Sequence, residues 1–211
     1  MFSENQINTM VRMQNEMNQL VHPEWKDQNF PYLRAARMEA MEAIDHYGWK
    51  FWKKQTPDMD QVRLEVVDIW HFLLSHLILE QKKGGFDLYS HVVITEFKFN
   101  DLCFVCECED FIKSTLEEFS YVEDILVFFS NIKTSINMSD DELFKLYLAK
   151  NTLNKFRQAH GYKEGTYIKN WQGREDNEHL TEIMKELDLD QPDVELVINR
   201  AIAERYNRLS I

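Results

Sequence analysis

Apolar residues recur along most of this chain at intervals of three and four, the repeat expected of helices with one buried face. Ile7, Met10, Val11, Met17, Leu20 and Val21 mark such a face and predict a first helix over residues 3–22. Ser3 stands where an N-cap is needed, and His22-Pro23 stops the helix because the residue before proline is steered away from helical angles. After a connection at 24–31, a second helix is expected from about Tyr32 to Lys54, with Gly48 a point where it can break and leave Trp49, Phe51 and Trp52 in a short separate turn. Thr56-Pro57-Asp58 is turn chemistry, and a third helix runs from about Met59 to Lys82 before Gly84-Gly85.

Residues 87–135 predict two further helices, about 88–113 and 115–133, rich in Phe and Val. Ser139 followed by Glu142 signals the cap of a helix running to about His160. Two terminal helices, about 176–187 and 191–208, are separated at Gln191-Pro192. Six Gly and four Pro in 211 residues agree with an all-α protein, and no internal repeat is visible. The expected organisation is one domain over 1–211, with 84–138 a mobile helical insert inside it.

Composition narrows the function classes. Hydrophobic content of 44% and charged content of 28% are those of a soluble globular protein. With no signal-peptide pattern and no apolar run of bilayer length, the expected compartment is the cytoplasm. A net charge of −12 argues against nucleic acid or a membrane surface as partner. Between residues 150 and 174, however, Lys150, Lys155, Arg157, Lys163, Lys169 and Arg174 face a single acid, Glu164, which makes a positive island. Cys103, Cys106 and Cys108 lack the fourth ligand of a structural zinc site and read as reduced thiols on an apolar helix face.

The most informative stretch is Glu39 to His71. Glu39 and Glu42 lie three apart on the second predicted helix, as do Glu65 and Asp68 on the third, so each pair projects from one face. If the two helices pack together, four carboxylates converge. They cannot all stay ionised in a partly buried groove without cations. Mg²⁺, which binds a few carboxylates together with substrate phosphates, suits such a site. Solvated helix acids are the plain alternative, but these sit among Met38, Ala40, Met41, Ala43, Ile44, Val66, Val67, Ile69 and Trp70.

Other residues point to a nucleotide. Gln14 and Asn18 share a helix face, and their amides offer the paired donor and acceptor that match a uracil edge, although solvated polar positions would look the same. Trp49, Phe51 and Trp52 form either core or a wall for a stacked base. The loop 160–177 combines three glycines with Lys163, Lys169 and Arg174, a phosphate-binding composition.

Four segments together carry a resemblance: M-Q-N-E-M-N at 13–18, M-E-x-x-E-x-I-D with W-K-x-W-K at 38–53, E-V-V-D-I-W-H-F at 65–72, and the long run from Lys150 to Asn177. On these motifs the chain resembles the dimeric all-α dUTPase family, within the all-α NTP pyrophosphohydrolases. The resemblance implies a helical bundle with a helical insert covering the active site, a homodimer, and hydrolysis of dUTP to dUMP and pyrophosphate, with dUDP a second substrate. It implies Mg²⁺, two or more ions with substrate bound, on Glu39, Glu42, Glu65 and Asp68, and a catalytic base among Glu39 and Glu42. Gln14, Asn18, His71 and Asn177 would hold uracil and sugar, with Phe51 or Trp52 beneath the base. Asn154, Arg157, Tyr162, Lys163 and Lys169 would contact phosphates and sugar.

Three other readings remain open on the residues. Because an amide presents either face by flipping, a dCTPase or a dual dCTPase/dUTPase fits the same motifs. A di-iron bundle expects Glu-x-x-His on two helices, whereas this chain offers only Asp68-x-x-His71. A helical interaction protein would need none of the clustered carboxylates.

Overall fold

The computed structural model describes residues 2–84, 87–94, 102–116 and 121–208. Among them the architecture is all-α. Helix α1 (Glu4–Val21) starts with a capping box, the Ser3 hydroxyl accepting from the Gln6 N–H and the Gln6 side chain accepting from the Ser3 N–H, and it ends before Pro23. A 3₁₀ turn at Trp25–Asp27 buries Trp25 and leads to α2 (Tyr32–Tyr47). The second helix thus stops seven residues short of the expected Lys54. Gly48 has φ +92°, and a Cβ there would lie 2.9 Å from the Gln55 Cβ, so chain reversal needs glycine at this point.

Helix α3 (Met59–Lys83) is capped by Asp58, whose own N–H donates to the His46 carbonyl at the end of α2. The two helices therefore form an antiparallel hairpin. On one face of α2, Ala36, Ala40 and Ala43 are fully buried, and small side chains there let the neighbouring helices come close.

The segment expected as two long helices contains α4 (Leu88–Ile94), α5 (Phe104–Ser114) and α6 (Val122–Ser135). Residues 95–101 and 117–120 lie outside the described set, as does Gly85. Thr115 and Leu116 form a turn rather than the start of a helix, because the α5 chain end is closed by Thr115 bonding back to Phe111. Helix α5 packs on α2 through Phe104 against Tyr47, ring centroids 4.8 Å apart, and the Arg37 guanidinium donates to the Thr115 carbonyl. Only Cys108 of the three thiols faces the core; Cys103 and Cys106 are exposed.

Helix α7 (Asp140–Ala159) follows the predicted Ser139 cap. After it comes a feature absent from the sequence expectation, a two-residue-stranded hairpin of β1 (Asn170–Trp171) and β2 (Arg174–Glu175), turned by Gln172 and Gly173 at φ +51° and +83°. It feeds directly into α8 (Asp176–Glu186), and α9 (Val194–Asn207) closes the bundle. Trp70 of α3 stacks between Phe2 and Phe129 and joins the α1, α3 and α6 layers. No helix among the described residues is long and apolar enough to cross a membrane.

The close approach at Ala40 predicts that Ala40→Leu overpacks the α2 core face. It should cost about 2 kcal/mol in urea unfolding, with activity falling further because Glu39 is the adjacent residue.

Candidate active site

The hairpin of α2 and α3 does what the acidic spacing predicts. Ligand oxygens of Glu39, Glu42 and Glu65 all lie within 4.8 Å of one another, with Glu65 buried, Glu39 half-buried and Glu42 exposed. Burial and the neighbouring Asp68, Glu65 and Glu42 push Glu39 from 4.5 up to about 9, and burial also raises Glu65. A proton on Glu39 relieves part of the repulsion within the cluster. An all-oxygen donor set converging this tightly fits a hard divalent ion.

Asp68 stands slightly apart, and the reason is a residue to which the sequence assigned no role. The ammonium of Lys150, only 1% exposed, lies 2.7 Å from Asp68 Oδ2 and donates to Asn177 Oδ1 at 2.8 Å. Arg157 also reaches Asn177 Oδ1, at 3.1 Å, and grips the buried Asp176 through two bonds of 2.8 Å. Tyr167 donates to the same Asp176 carboxylate. A continuous charged chain thus links the carboxylate cluster to the start of α8. Two cations take up the Asn177 carbonyl oxygen, and Asn177, buried, does not line the candidate nucleotide cavity.

Most of the expected nucleotide residues meet in one cavity of about 380 Å³. Gln14, Asn18 and His71 line it together with Glu39, Asp68, Asn154, Arg157 and Tyr162. Burial lowers His71 to about 4, so the ring is neutral; Nδ1 donates to the Val67 carbonyl at 2.9 Å. Its buried Nε2 has no partner among the described residues and is an acceptor. The ring stacks on Tyr147 with centroids 4.3 Å apart.

Other expected contacts lie elsewhere. Phe51 is 94% exposed and Trp52 61%, packed edge-on to each other outside the cavity lining. The aromatic walls present are Phe30, Tyr32 and Phe72, along with Tyr162. Lys163 donates to the Val21 carbonyl, and Lys169 pairs with Glu175 at 2.9 Å. No described residue of 84–138 lines the cavity. The positive island is largely neutralised in pairs: Lys150 with Asp68, Lys155 with Glu16, Arg157 with Asp176 and Arg174 with Glu182. Its acidic partners come from other elements, which is why a count along residues 150–174 overstated it.

An all-α hairpin presenting clustered carboxylates beside an amide-lined cavity is an arrangement suited to a nucleotide hydrolase. A family model described as dUTPase matches residues 6–162, and the chain belongs to that family: it is a dUTP diphosphatase. The match takes in every candidate residue from Gln14 to Tyr162 and ends before Lys163, Lys169 and Asn177. No curated protein gives a significant match to the chain.

The raised Glu39 value has a consequence for stability. A carboxyl that holds its proton more tightly when folded favours the fold at low pH, and that contribution is lost as pH rises from 4.5 through about 9. His71 acts in the opposite sense, removing stability only as pH falls from 6.5 towards 4. Between pH 7 and 9 the carboxylates therefore act alone. Metal-free protein should lose on the order of 1–2 kcal/mol across that interval, and added Mg²⁺ should restore it with proton release. Thermal unfolding in chelator and in Mg²⁺ at each pH measures both.

Proposed function

We propose that this dUTP diphosphatase is Mg²⁺-dependent, converts dUTP to dUMP and pyrophosphate, also accepts dUDP, and works as a cytoplasmic homodimer in which 84–138 is a helical insert within one catalytic domain. The observation that carries this reading is that one cavity is walled both by Gln14, Asn18 and His71 and by Glu39 and Asp68. A base and a phosphate chain placed in it would meet both amides and carboxylates.

Glu39, Glu42 and Glu65 would hold the metal, with Asp68 shared between it and Lys150. Bound there, Mg²⁺ would offset charge on phosphate oxygens and favour ionisation of an attacking water. Glu42, the exposed member of the trio, is our candidate base, because solvent reaches it while Glu39 is half-buried and Glu65 buried. Arg157, its Nε and Nη2 donors held by Asp176 and Asn177 and one Nη1–H by Asn154, offers the remaining Nη1–H and its positive charge to a phosphate oxygen, with Tyr162 beside it. Lys163 and Lys169 would join by exchanging their present partners, Val21 and Glu175, for phosphate. The neutral His71 accepts from a base N–H or sugar hydroxyl, and Asn177, outside the cavity lining, would donate through its NH₂ only after moving towards the ligand. Stacking by Phe51 or Trp52 requires the 48–58 connection to swing towards the cavity.

Two expected outcomes test these roles. Glu42→Gln should fold and lose about a thousandfold in kcat, with metal binding weakened as in Glu39→Gln but nucleotide affinity kept within a few-fold. Wild-type turnover in Glu42→Gln would remove that residue from the mechanism. Pyrophosphate release from dUTP, dCTP, dTTP and UTP should be strong for dUTP alone and should stop in excess chelator. Light scattering on the purified chain measures the dimer.

A further inference from the structure

Behind Gln14 and Asn18 lies Ser75 of α3, fully buried and one turn beyond His71. Its hydroxyl proton goes to the His71 carbonyl, 3.0 Å away, the back-bond open to serine in a helix. That leaves the oxygen with two lone pairs and no proton to give. Gln14 Nε2 fills one at 3.0 Å and Asn18 Nδ2 the other at 2.9 Å. Gln14 Nε2 also donates to Asn18 Oδ1 at 3.0 Å.

This arrangement fixes which way each amide points. Turning Gln14 alone would set its carbonyl oxygen against Asn18 Oδ1. Turning both amides would repair that contact but present two carbonyl oxygens to Ser75, whose single proton can serve only one of them and would have to leave His71. Tyr147 imposes no such choice. Its hydroxyl lies 2.9 Å from Gln14 Oε1 and 3.0 Å from the Met10 carbonyl, so it could donate to Met10 and accept from a turned amide equally well.

We propose that Ser75 is a positioning residue for base selectivity: its saturated hydroxyl holds Gln14 and Asn18 in one orientation, which leaves lone pairs on Gln14 Oε1 and Asn18 Oδ1 and one Asn18 N–H for a base, and this fixed donor and acceptor order serves uracil and rejects the reversed order of cytosine. The proposal rests on the reading of Gln14 and Asn18 as base contacts. It locates the selectivity outside the residues that touch the base. A pair of amides left to themselves would serve either pyrimidine.

The test is kcat/KM for dUTP and dCTP in four variants, each checked for helical content by circular dichroism. Ser75→Ala should raise the dCTP-to-dUTP ratio about tenfold, the worth of one buried hydrogen bond. Ser75→Cys, similar in size but a poor acceptor, should move it the same way if Ser75→Ala fails to fold. Tyr147→Phe, which removes a comparable buried bond without choosing an orientation, should lower efficiency on dUTP and leave the ratio in place. An unchanged ratio in folded Ser75→Ala or Ser75→Cys that still hydrolyses dUTP overturns the proposal, as does an equal rise in Tyr147→Phe. Asn18→Ala tests the underlying reading separately: an unaltered KM for dUTP in that variant removes the amides from the base pocket altogether.

Discussion

Repulsion between like charges is the constraint on which this structure depends. Glu39, Glu42 and Glu65 have ligand oxygens within 4.8 Å of one another, and Asp68 is close enough to raise Glu39 further. Such a cluster disfavours the fold that creates it unless something positive or protonated compensates. The chain supplies two partial remedies. One is the proton held on Glu39. The other is Lys150, buried against Asp68 on a helix remote in sequence. Neither neutralises the whole cluster, and the remaining charge is what the proposed divalent cation would offset.

The scaffold around this cluster is accordingly rigid where it must be. Alanines on α2 permit close packing, and Trp70, one residue before His71, is held between Phe2 and Phe129. The charged chain from Asp68 through Lys150, Asn177 and Arg157 to Asp176 links the carboxylate-bearing helix α3 to α8 through α7.

Both parts of the site follow one rule, that buried polar groups have few unused valences. The Asn177 oxygen is filled by two cations, the Ser75 oxygen by two amides, and the His71 Nδ1–H by a backbone carbonyl. Each filled valence dictates what remains: at His71, which lines the cavity, an acceptor nitrogen. Specificity of this kind needs no additional contact to the substrate, only the cost of leaving an internal partner unpaired.

The sequence by itself determined the helices and the pairing of carboxylates, because both are local. Period, caps and the i, i+3 spacing of Glu39 with Glu42 and Glu65 with Asp68 are written within single turns. The amide pair at 14 and 18 was legible for the same reason. The short hairpin at 170–175 was not, since two-residue strands carry no periodicity; Gln172-Gly173 was its one available signal. Tertiary structure decided everything that depends on partners far along the chain. Lys150 looked like one charge in a basic island until the fold set it 2.7 Å from Asp68, and Ser75 looked like an ordinary helix serine until α1 laid two amides on its oxygen. Phe51 and Trp52, promising as a motif, stand in solvent because Gly48 ends α2 before them. Spacing tells which side chains share a face, but only packing tells which groups across the fold take up their hydrogen bonds and charges.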